Sequence, residues 1–424
     1  MGWTRGSALA WLVVTGCGRS ALFGPELDPC DGNACTSVAT LERSADILFV
    51  IDNSGSMGVE QGVLASNFPA FFDVLEREQL GASYRVGFTT TDSSVGVGGL
   101  RLSSCRERLG DFLFSDGEVI IEESQSGCLS SCSTDVVGTV PTITADDGVP
   151  SPRPWIEKTG ARTNLADGVD VAEAMRCAGP QGINGDGFEA PLEAMRGVID
   201  GERNSQGFLR DEALLAVIFV TDETDCSMPP GNAQRLISAE GRPLWSDPSS
   251  ELPTSAVCWN AGTACTGGPG IYDECHTEDH GWDGLPAGAD EETVLYPVSR
   301  YVDALRDVSQ RKSARGGTSQ VLVAVIGGVP LDYPDAGVLP FQDSDDPEFN
   351  LEYGIGPSCG RGTETVHSPP GLPPVRVREF AEAFATERNV FSICSPDYTA
   401  ALEQIGGALG RLSARTCVPG CVAD

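Results

Sequence analysis

The residues with the most chemistry in this chain fall in one stretch, Asp46-Ile-Leu-Phe-Val-Ile-Asp-Asn-Ser-Gly-Ser-Met57, where an apolar run ends in an aspartate and two serines spaced two apart. A carboxylate and two hydroxyls so placed can serve a nucleophile, a phosphate or a metal ion. Catalysis by Ser54 or Ser56 needs a base, and the three histidines, His276, His280 and His367, stand in no triad setting. The glycine two residues before the serine of a hydrolase elbow is also missing. Phosphate chemistry is no better served, because the Gly-x-x-x-x-Gly-Lys-Ser/Thr loop does not occur and Ser54 stands where an aspartyl-phosphate enzyme has its second aspartate. A hard cation fits. Side chains at i, i+2 and i+4 of a short extended loop converge, so Asp52, Ser54 and Ser56 offer three oxygens, with Gly55 expected to permit the bend. Magnesium takes octahedral oxygen ligation and keeps some waters, which suits few carboxylates and several hydroxyls; Ca²⁺ and Mn²⁺ are the alternatives.

The elements that must position this loop show in the hydrophobic pattern. Strand-like apolar runs occur at Ile47–Ile51, Tyr84–Thr90, Leu214–Thr221, Val321–Ile326 and Val390–Ile393, with helical patterns between or after them. Leu64, Phe68, Phe71, Phe72 and Leu75 share one helical face, as do Leu402, Ile405, Leu409 and Leu412; Pro69 is expected to kink the first of these helices. Strands apolar throughout, alternating with helices, predict a doubly wound α/β fold with a mostly parallel sheet covered on both faces. In such folds ligands bind beyond the carboxyl ends of the strands. The Asp-Asn-Ser-Gly-Ser loop and the "VTDETD" stretch Val220–Asp225 both sit at such ends, so Asp222 can supply a second carboxylate. Glu223 and Asp225 are expected to be solvated loop residues or a secondary cation site. His276 and His280, at i and i+4, would suit a metal on a helix, but their flanks read as a surface loop.

"VIDNSGSM" resembles the Asp-x-Ser-x-Ser motif of von Willebrand factor type A domains, and "FVTDE" resembles the strand carrying that family's second aspartate. The resemblance covers residues 44–414 in outline. It implies a metal-ion-dependent adhesion site, with Asp52, Ser54, Ser56 and Asp222 around Mg²⁺ and a ligand that often supplies a carboxylate. In the family a threonine from a third loop completes the protein shell; here that region reads "NGDGFEAPLEAM", Asn184–Met195, without threonine. Glu189 falls at about the threonine's place and is assigned as a substitute ligand. An extra carboxylate would lower the ion's net charge, weaken its pull on an acidic ligand, or tilt the site toward Ca²⁺.

Composition narrows the setting. A formal charge of −33, from 61 acidic and 28 basic residues, excludes the phosphate backbone of nucleic acid and anionic lipid surfaces as partners. The start, "MGWTRGSALAWLVVTGCG", places Arg5 before a short apolar run, Ala8–Val14, far below the roughly 20 residues that span a bilayer. It reads as a signal peptide over residues 1–16. Val14-Thr15-Gly16-Cys17 resembles the bacterial lipobox, which implies lipidation of Cys17, and Gly18 after it points to the outer membrane, at its periplasmic face or the cell surface. Residues 17–43 then read as a tether. Setting Cys17 aside leaves fourteen of the fifteen cysteines, an even number in an oxidising compartment, so disulfides are expected rather than zinc; spacing does not fix their connectivity. Long segments near 93–160, 223–290 and 329–373, rich in Gly, Pro, Asp, Ser and Cys, fit no helix or strand and read as stapled insertions, and residues 415–424 form a Cys-containing tail.

The sequence therefore predicts a non-enzymatic, lipid-anchored envelope protein. Its single inserted domain is expected to bind a protein or polysaccharide partner through a metal on the rim. An envelope scaffold with a structural ion is the rival reading, and a metal-dependent hydrolase the third.

Overall fold

The central sheet is built from β1 (Ser44–Ile51), β2 (Ser83–Thr90), β3 (Ile156–Thr159), β4 (Arg162–Thr163), β5 (Leu214–Val220), β6 (Val321–Gly327) and β7 (Val390–Ser392), in the spatial order β7-β6-β5-β1-β2-β3-β4. The computed structural model describes residues 44–77, 83–92, 99–115, 120–201, 204–315, 320–335, 339–360 and 370–412. The signal peptide, Cys17, the tether, His367 and the C-terminal tail lie outside the described residues. Five strands from β7 to β2 run parallel, and β3 and β4 close one edge in antiparallel register. The mostly parallel, doubly wound sheet expected from the apolar runs is present. β3 was not visible in the sequence, because its Ile-Glu-Lys-Thr is short and half charged.

Every residue of β1 is buried, as a central strand covered on both faces requires. Its alternate side chains feed two cores. Ile47, Phe49 and Ile51 face α1 (Gly58–Arg77), α2 (Val171–Ala178) and, at the chain's end, a helix over Thr399–Leu412, while Leu48 and Val50 face α3 (Pro191–Ile199) and two further helices, α4 (Val298–Ala314) and α5 (Val375–Glu382). The first core is aromatic. Phe49 has Phe68, Phe71 and Phe88 around it at ring-centroid distances of 5.3, 5.8 and 5.6 Å. Such packing explains why Pro69 does not break α1, which is helical from Gly58 to Arg77. The lost backbone hydrogen bond is small beside the burial of Phe68, Phe71 and Phe72 on either side of it.

The insertions depart from expectation in holding regular elements. The first carries a hairpin, Leu113–Ser115 with Ile120–Glu122, and the second a hairpin, Thr263–Gly267 with Ile271–Thr277, preceded by a helix over Ala256–Gly262. In the third, a helix spans Pro347–Tyr353, and Phe341–Gln342 pairs with the second insertion's hairpin. These strands are short or largely exposed, so no sustained hydrophobic alternation announced them. The second insertion has a small core of its own around Leu236, Leu244, Trp245 and Val257.

Five disulfides hold the insertions: Cys105–Cys128, Cys132–Cys177, Cys226–Cys258, Cys265–Cys275 and Cys359–Cys394. They use all ten cysteines among the described residues, and each bridge has at least one end in an insertion. Thiol labelling of the denatured, unreduced protein should leave these ten unmodified, as read by peptide mass mapping. A label on any of them would contradict the pairing.

Candidate metal centre

Parallel register is what assembles the rim. Ile51 pairs with Thr90 of β2 and with Val220 of β5, so the next residues, Asp52, Thr91 and Thr221, stand level at the carboxyl edge where the chain winds off in both directions. The N–H of Asp52 continues the ladder to the Val220 carbonyl at 2.9 Å. Asp52 is fully buried; its carboxylate accepts the Ser54 N–H at 2.8 Å and the Thr221 hydroxyl at 2.5 Å. The loop then turns so that the hydroxyls of Ser54 and Ser56 lie 3.0 Å apart. Gln61 of α1 pins the loop from below, donating to the carbonyls of Asp52 and Gly182. The need for glycine at position 55 differs from the expected one. A Cβ there would sit 3.3 Å from the ring of Phe114, so the first insertion's hairpin, not the bend, crowds this position, and a larger residue would need that ring to give by a few tenths of an ångström.

Glu189 joins the same site. Its loop lies against the motif: Gly185 donates to the Asn53 carbonyl at 2.9 Å, and a Cβ on Gly185 would come within 2.5 Å of the Asn53 side chain. Backbone bonds fix the loop on both sides, from Ala190 N–H to the Thr91 carbonyl and from Cys226 N–H to the Glu189 carbonyl, each 2.7 Å. The side chain is fully buried and accepts the hydroxyl of Thr91.

The electrostatics are those of a site short of positive charge. Burial, then the charges of Asp52 and Glu223, push the carboxyls of Asp222 and Glu189 well above the usual range. Burial and Asp52 do the same to half-buried Glu223, and burial lifts Asp52 despite its hydrogen bonds. Among the described residues no arginine or lysine pairs with any of the four. Oδ1 of Asp222 and Oε1 of Glu189 are buried without a hydrogen-bond partner. Such oxygens are expensive to leave unmatched, and a hard divalent cation would match them. The residues present therefore fit a metal of the Mg²⁺ or Ca²⁺ class. They do not form a close cage of three carboxylates: among the described residues the groups of three ligand atoms within 4.8 Å are Cys105/Cys128/Cys132 and Cys132/Glu173/Cys177, whose cysteines are committed to disulfides. The donor set on the rim is carboxylates interleaved with hydroxyls.

A sheet wound both ways from β1, helices on both faces, Asp52-x-Ser54-x-Ser56 closing β1 and Asp222 closing β5 fix the architecture. The fold is von Willebrand A-like. No protein-family model and no curated protein matches the sequence. Among solved structures, the pilus adhesin SpaC from Lactobacillus rhamnosus GG, in its open conformation, aligns at 12% identity with a TM-score of 0.34 over 87% of this chain and 30% of SpaC. The vWF domain of the type V pili tip protein Mfa5 from Porphyromonas gingivalis aligns at 11% identity with a TM-score of 0.33 over 89% of this chain and 98% of that domain. The chain thus spans under a third of SpaC's length. Likenesses this distant say nothing of ligand or partner, and the reading of the rim rests on its own geometry.

Other sequence-level candidates fall elsewhere. Asp225 is not solvated: it is buried in an ion pair with Arg376 at 3.0 Å, and its Oδ1 accepts the N–H of Leu192 at the start of α3. His276 lies in a strand rather than a loop, and His280 is buried beside Glu278 at 3.5 Å. Two residues that sequence reasoning passed over, Thr91 and Thr221, are fully or almost fully buried donors to the rim carboxylates.

Proposed function

We propose that this chain is a lipid-anchored cell-envelope protein of the outer membrane that binds a protein or polysaccharide partner through a divalent-metal-dependent adhesion site. Asp52, Ser54, Ser56 and Asp222, with Glu189, would hold Mg²⁺, or alternatively Ca²⁺ or Mn²⁺, and the ion would give an acidic group of the partner an electrophilic docking point. The observation that carries the metal is the pair of buried carboxylate oxygens, on Asp222 and Glu189, that lack a partner in a rim with no basic residue paired to it. A groove of about 1070 Å³ runs beside the Glu189 loop, lined by Asp186, Phe188, Met228, Pro253, Arg300 and Glu352, and offers a partner surface there. The hydroxyls of Ser54 and Ser56 bond to each other, which supports a ligand role over a nucleophile's. Among the described residues no helix is long and apolar enough to cross a membrane; the lipid on Cys17 is the proposed attachment.

One observation favours a second reading. Asp52, Ser54, Asp222 and Glu189 are all at most 4% exposed, so an ion held by them could serve as a structural tie between β1, β5 and the Glu189 loop. Affinity capture from envelope extracts separates the two. An adhesion site should retain a partner in Mg²⁺ and release it when a chelator is added, with the released protein still folded by circular dichroism. Partners that stay bound to the chelated, folded protein would leave only the structural role.

A further inference from the structure

We propose that Thr91 sets the cation preference of the rim, by leaving Glu189 a single oxygen for the ion and so favouring Mg²⁺ or Mn²⁺ over Ca²⁺. The inference rests on the metal reading of the rim. The Thr91 hydroxyl donates to Oε2 of Glu189, both residues are fully buried, and Oε1 is the oxygen left without a partner. The main chain holds the two residues side by side: the Thr91 carbonyl accepts the N–H of Ala190, next to Glu189, and the Glu189 carbonyl accepts the Cys226 N–H, each at 2.7 Å. Cys226 is in turn bonded to Cys258. The carboxylate is thus offered through one oxygen only.

That difference matters to hard cations. Calcium takes six to eight oxygens at about 2.3–2.6 Å and gains from bidentate carboxylates, whereas Mg²⁺ demands near-octahedral geometry at about 2.1 Å and takes carboxylates one oxygen at a time. A Glu189 with both oxygens free would suit calcium, as the mere presence of an added carboxylate suggests. With Oε2 occupied by Thr91 it suits the smaller ion. Thr91 is therefore a positioning residue that acts through Glu189.

The test titrates Mg²⁺ and Ca²⁺ separately into chelator-stripped full-length protein by calorimetry. Thr91→Val keeps the shape and removes the hydroxyl; it should shift the ratio of the two dissociation constants toward Ca²⁺ by about tenfold, the low end of what a partner of a metal ligand is worth, while Thr91→Ser, which keeps a hydroxyl, should hold the wild-type ratio. Thr91→Ala removes the same hydroxyl without needing space for a methyl group and takes the place of Thr91→Val if the valine variant does not fold. In a Glu189→Gln background the Thr91→Val shift should vanish. An unmoved ratio in the folded hydroxyl-free variant, with Asp52→Ala still abolishing binding, overturns the role of Thr91 and leaves the metal site standing. Wild-type protein that binds neither cation overturns both.

Discussion

Asp52→Ala should abolish divalent-cation binding, with affinity falling by more than about a hundredfold, because even the outer partners of metal ligands are commonly worth ten- to a hundredfold and Asp52 would be a direct one. Its carboxylate also organises the rest of the site, through the Ser54 N–H on one oxygen and the Thr221 hydroxyl on the other. The fold should survive. What holds β1 in place is Ile47, Phe49 and Ile51 on one face and Leu48 and Val50 on the other, and none of these depends on the rim. Wild-type protein should gain about 2.7 kcal/mol of stability at a hundredfold excess of cation over its dissociation constant, and the variant none. Denaturant unfolding with and without Mg²⁺ measures this directly. A variant that gains as much as wild type would remove Asp52 from the site. The same variant should fail to capture the envelope partner, since under the adhesion reading the ion is part of the binding surface.

Much of this could be read from sequence, for a physical reason. β1, β2, β5, β6 and β7 are buried on both faces, so they are largely apolar and conspicuous, and Asp52, Ser54, Ser56 and Asp222 follow the ends of such strands by one to five residues. Thr91 and Thr221 were missed. Each ends a strand in an ordinary-looking run, and only the register that sets Ile51 beside Thr90 and Val220 brings them to the carboxylates. Asp225 looked like one more acidic loop residue because its partner, Arg376, is 151 positions away. The hairpins of the insertions were not legible because the first, Leu113–Ser115 with Ile120–Glu122, has strands of three residues, too short to show a period, and the second is largely exposed and tied across its strands by Cys265–Cys275. Local chemistry was legible; chemistry assembled across the sheet was not.

The rim also fixes the sign of a pH effect. Asp222, Glu189, Glu223 and Asp52 all have carboxyls raised in the folded protein, mainly by burial and then, for the first three, by the charge of Asp52. A group that holds its proton more tightly when folded stabilises the fold below its unfolded pKa, near 4 for carboxyls, and that contribution is lost as pH rises through the higher folded value. Each unit of elevation is worth about 1.4 kcal/mol. Chelated protein should therefore lose stability as pH rises above the ordinary carboxyl range and through the higher folded values, where these groups are forced to ionise against one another. Cation should reverse the trend, because it binds the ionised carboxylates and its apparent affinity rises as protons leave. General acidity of the chain would also destabilise it at high pH, so the decisive comparison is with Asp222→Asn/Glu189→Gln. In that variant the loss on raising pH under chelator should shrink markedly, and the gain from Mg²⁺ should disappear. Equal pH dependence in the variant and the wild type, measured by denaturant unfolding at both ends of the range, would mean that these two carboxyls do not carry the strain and that the buried oxygens are matched by something other than a cation.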